Sequence, residues 1–109
     1  MTALICFCTC PDAEVAERIA TALVDERLAA CVNVLPAVIS IYRWGGAVER
    51  AGETLLLAKT TRERLAALGE RIVALHPYEL PEVLAVEAAG GLPAYLAWIA
   101  AETRPGAPE

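Results

Sequence analysis

The chain has 109 residues, the length of one domain, yet 57% of them are hydrophobic, against roughly 45–50% in an average globular domain. Nine Lys and Arg against fourteen Asp and Glu give a net charge of −5, a field that repels nucleic acid and anionic membrane, because phosphate recognition needs clustered cations. A domain this small buries roughly two thirds of the surface of its unfolded chain, so the apolar surplus is expected to lie between subunits.

Thr2 to Cys10 is an apolar run suited to a buried strand. Pro11 fits a first helical position, with Asp12 and Glu14 at the positive end of the helix dipole. Val15, Ile19 and Leu23 then recur at helical spacing, which predicts an amphipathic helix to about Leu28. Cys31 to Trp44 is a long strand-like stretch in which Pro36 removes one ladder donor, so this strand is expected to bulge or lie at an edge. Gly45-Gly46 supplies a turn, and Glu53 to Thr60 reads as the returning strand. Thr60 and Glu63 fit a capping box, opening a helix lined by Leu65, Leu68, Ile72 and Leu75 that Pro77 ends. Val83 to Val86 is a short fourth strand, and Pro93 opens a last helix carrying Tyr95, Trp98 and Ile99.

The order β-α-β-β-α-β plus a terminal helix predicts an α+β ferredoxin-like sandwich, a single domain over residues 1–103 with a flexible tail over 104–109. The central hairpin is longer than the first and fourth strands can cover, and unpaired edge backbone invites another chain. The longest uncharged run, Leu28 to Tyr42, is too short to span a bilayer. Met1 to Cys10 has no basic region and ends at Pro11-Asp12, so no signal peptide is expected. The expected location is cytoplasmic, where thiols stay reduced and the four cysteines are free.

Cys6, Cys8 and Cys10 fall at period two and so point to one face of a strand. Thiols together suit a soft metal, although a cysteine is more often a small core hydrophobe. His76 is the only histidine, which excludes a multi-histidine cage within one chain. No nucleophile triad, Walker loop or dinucleotide fingerprint is present, and the chain reads as a non-enzyme. Glu53 and Lys59 are six apart on one strand and face one side, and Tyr42 and Trp44 share a face with Ser40. Pro77 and Pro81 stiffen the loop that carries Tyr78. A lysine near the end of a core strand must face a carboxylate, solvent or ligand. Lys59, Glu53 and Tyr78 are therefore expected to meet in a concave site between subunits.

Ala30-Cys31-Val32-Asn33, Pro36, Ser40, Tyr42, Trp44, Glu53, Lys59-Thr60, His76-Pro77-Tyr78, Pro81-Glu82, Tyr95 and Trp98, in this order and spacing, resemble the CutA divalent-cation tolerance family from the first strand to the last helix. The resemblance implies a tight homotrimer tied to tolerance of copper and other divalent metals, with no established catalytic activity. It also implies metal ligands at Cys8 and His76. The family's other histidine position is held by Leu75, which cannot ligate. No cofactor is implied as obligatory; copper or another divalent metal is the candidate. Two readings follow. One is a metal-response trimer with ligands Cys8 and His76. The other is a trimeric small-ligand regulator whose inter-subunit clefts are lined by Tyr42, Trp44, Glu53, Lys59, Tyr78 and Glu82. An acylphosphatase-type enzyme would need a cation in the loop Thr9-Cys10-Pro11-Asp12, which has none.

Overall fold

Buried and half-buried side chains alternate along Ala3–Cys10 (β1), as in a strand with one face in the core and the other less covered. The computed structural model describes residues 1–106. Its further elements are α1 (Ala13–Asp25), β2 (Cys31–Trp44), β3 (Ala47–Thr61), α2 (Leu65–Leu75), β4 (Leu84–Glu87) and α3 (Pro93–Glu102). The four strands make one antiparallel sheet in the order β2-β3-β1-β4, which is the ferredoxin-like arrangement.

Cys6, Cys8 and Cys10 of β1, with Leu56 and Ala58 of β3, form the core with Ile19 and Leu23 of α1 and Leu68 and Ile72 of α2. The opposite sheet face carries Ile5, Phe7, Leu55 and Leu57, all half-buried, and Leu84 and Val86, which are exposed. It is covered at one end, where Ile99 of α3 packs on Ala3 and Ala30.

β1 pairs only with Thr54–Thr61 of β3, so the β2–β3 hairpin from Val38 and Glu53 outward extends beyond the sheet. That extension gives the molecule a 44 Å long axis against 26 and 22 Å across. Edge strand β2 bulges between Leu35 and Val38, where Pro36 lacks a donor and Ala37 has φ 61°.

Several boundaries differ from the sequence expectation, each because a tertiary or turn contact decides it. The N-cap of α1 is Asp12, whose carboxylate accepts from the Val15 N–H at 2.9 Å, so Pro11 lies before the helix. The helix stops at Asp25, short of Leu28: Arg27 takes φ 60°, and the N–H groups of Leu28 and Ala29 both turn back to the Leu23 carbonyl. β3 begins at Ala47, well before Glu53, because Gly45 and Gly46, both at positive φ, close a two-residue loop directly after Trp44. The Thr60–Glu63 capping box does not form. Thr60 remains in β3, fully buried, and donates its hydroxyl to the Leu28 carbonyl at 2.7 Å, while a short 3-10 turn (Arg62–Arg64) leads into α2. Of the expected tail, residues 107–109 lie outside the described residues.

Candidate functional site

The end of β1 and the loop after α2 build two sites back to back. His76 leaves α2 with an extended backbone, as a residue before proline must, while its N–H still bonds the Ile72 carbonyl at 2.8 Å. Its buried ring then locks onto β1: Nε2 donates to the Thr9 carbonyl at 2.8 Å, and Nδ1 accepts the Tyr78 N–H at 3.1 Å. A backbone N–H can only donate, so this network assigns the proton to Nε2. The Tyr78 ring stacks at a tilt beside the imidazole, centroids 4.5 Å apart.

On the core side of this junction, Cys8, Cys10 and His76 are all buried, and their ligand atoms lie within 4.8 Å of one another. Interaction with the neighbouring Cys10 thiol pushes Cys8 far above the usual thiol range, with burial adding to it. The neighbouring Cys8 thiol lowers Cys10 against the opposing effect of burial. Cys6, one step deeper in β1, is pushed up by burial to about 11 and is an ordinary core thiol.

Two sulfurs and an imidazole, convergent and buried, fit a soft metal by donor type and by spacing. Closed zinc sites take four ligands, so three soft donors suit copper(I) better. Both His76 nitrogens are already bonded. A metal at either one replaces the bond to Thr9 or the bond to Tyr78.

On the other side lies a cleft of about 580 Å³ lined by Thr9, Tyr42, Trp44, Glu53, Tyr78 and Glu82 among others. The Tyr78 hydroxyl donates to Glu53 Oε2 at 2.6 Å, and the Thr9 hydroxyl donates to Glu82 Oε1 at 3.3 Å. Burial and then the Glu53 carboxylate push the Tyr78 phenol up, so it stays a donor.

Five of the six residues expected in the cleft thus share it within one chain: Tyr42, Trp44, Glu53, Tyr78 and Glu82. Lys59 does not. It shares the sheet face of Glu53, but six residues of strand put it roughly 20 Å away, where its ammonium bonds the Asn33 side chain. Of the expected metal ligands, Cys8 and His76 are brought together, and Cys10 joins them as a donor that sequence reasoning had not selected. The period-two spacing placed Cys10 on the right face. Only the landing point of the His76 loop separates it from Cys6.

Comparison with known proteins gives a match of residues 4–102 to the family described as CutA1 divalent ion tolerance protein. The chain belongs to that family. It is 53% identical over 95 residues to the CutA divalent-cation tolerance protein of Thermus thermophilus, covering 87% of this chain and 92% of that one. The crystal structure of CutA from Xylella fastidiosa superposes with a TM-score of 0.91 at 49% identity, covering 94% of this chain and 98% of that one. CutA1 from Oryza sativa gives 0.92 at 39% identity, covering 95% of each chain.

Proposed function

We propose that this CutA-family chain acts in the response to metal ions without catalysis, as a cytosolic homotrimer that holds copper(I) between Cys8, Cys10 and His76. The observation that carries the reading is the convergence of these three donors in the core. The relatives' names supply the link to divalent-cation tolerance. When bound, the metal would supply a Lewis-acidic centre; the chain's own residues bury it and hold the imidazole through whichever of the Thr9 and Tyr78 bonds the metal does not replace. The location is supported by four cysteines that are all free thiols, as a reducing compartment keeps them. Among the described residues no helix is long and apolar enough to cross a membrane. Trimeric assembly is supported by the open sheet face and by exposed Ile39, Ile41 and Val48 on the protruding hairpin.

The test is a copper(I) titration under anaerobic conditions against a competing chelator. One copper per chain is expected. Cys8→Ser and Cys10→Ser should each weaken binding by about tenfold or more, and Cys31→Ser should leave it unchanged. Equal loss in all three variants would mean that general thiol chemistry had been measured.

A second reading, a regulator that binds a small molecule, is favoured by the preformed cleft on the other side of Thr9. Lys59 can take part in that cleft only from another subunit.

A further inference from the structure

Glu53 is a buried carboxylate without a countercharge. It is 8% exposed, and its hydrogen-bond partner is a neutral phenol. Among the described residues no Lys, Arg or His forms an ion pair with Glu53 or with Glu79 and Glu82, the other carboxylates of the cleft. Buried charges are costly unless they are paired or bind a cation. Tyr78 fixes one oxygen of Glu53, and Thr9 fixes one of Glu82, so both carboxylates are held in place. The remaining walls are aromatic: Tyr42 and Trp44 on the hairpin and Tyr78 on the loop, rings whose faces attract cations.

A bare metal ion does not match this arrangement. Among the described residues the one group of three or more metal donors close enough to share an ion is Cys8, Cys10 and His76, so the three cleft carboxylates do not together form such a group. A volume of about 580 Å³ is that of a small-molecule site. The occupant has to carry positive charge for Glu53 and an apolar body for the rings.

We propose that the cleft binds a small organic cation, an amine or quaternary ammonium compound with an apolar body, with Glu53 as the charge partner and Tyr42 and Trp44 as the ring wall. The proposal rests on the reading of the cleft as a small-molecule site and is independent of the metal centre.

Isothermal titration of the full chain tests it with three probes of similar shape: phenethylammonium, neutral phenethyl alcohol and anionic hydrocinnamate. Saturable binding of the cation is expected, with the alcohol at least about tenfold weaker and no binding of the anion. Glu53→Gln keeps an acceptor for the Tyr78 hydroxyl and should melt like the native protein while binding the cation about tenfold or more weakly. Trp44→Ala should cost roughly threefold. Equal binding of cation and alcohol, or unchanged binding to Glu53→Gln, overturns the cation assignment and leaves a ligand cleft. If no probe binds the native protein, both the assignment and the cleft reading fall. Binding that then appears in Lys59→Met would identify the occupant as Lys59 of another copy of this chain.

Discussion

Thr60 holds the junction between the α1–β2 connection and the sheet. Its buried hydroxyl donates to the Leu28 carbonyl at 2.7 Å, and Thr60→Val keeps the shape while removing that donor. The loss expected is about 1–2 kcal/mol, read from urea unfolding; no measurable change would mean that the carbonyl finds another partner. His76 has a comparable role on the opposite side of the core, because its two ring bonds tie the Tyr78 loop to β1. His76→Ala should therefore lower stability by about 1–3 kcal/mol even without metal. It should also shift the Tyr78 resonances in an NMR spectrum. A variant that kept native stability would remove His76 from this structural role and leave only a ligand role.

At the level of elements, the β2 bulge stores a small strain that is open to measurement. Ala37 sits at φ 61°, where an L-residue pays about 1–2 kcal/mol that glycine avoids. Glycine's extra freedom in the unfolded chain offsets about 0.5–1 kcal/mol of this. Ala37→Gly should stabilise the protein by about 0.5–1 kcal/mol, a rise of a few degrees in melting temperature; a lower melting temperature would mean that the bulge is not strained. The identity and order of the elements were legible in the sequence because periodicity carries them, and so was the bulge or edge at Pro36. The boundaries were not, because Thr60 and Leu23 make contacts between elements that no local pattern contains. The candidate site divides along the same line. Parity correctly put Glu53 and Lys59 on one face, but the length of β3 between them separates the two within a chain. Cys10 was visible as one of three equivalent thiols until the path of the His76 loop distinguished it.

For the whole molecule, a net charge of −5 keeps the surface polar overall, yet the open sheet face and the hairpin expose many large apolar side chains. Trimer formation would bury them, and sedimentation equilibrium at micromolar concentration should return three times the 11.6 kDa chain mass. Ile41 is 71% exposed, so Ile41→Glu should leave the subunit fold intact and shift that mass downward if the hairpin lies in the interface. An unchanged mass would put the interface on the sheet face alone. The proposed metal centre needs no second chain, since all three candidate donors come from one subunit. X-ray absorption at the copper edge of the copper(I)-loaded protein examines it most directly. The account predicts a first shell of two sulfurs and one imidazole nitrogen, with one sulfur lost in Cys10→Ser and the nitrogen lost in His76→Ala. A shell of nitrogen and oxygen alone, or one that neither substitution alters, would contradict it.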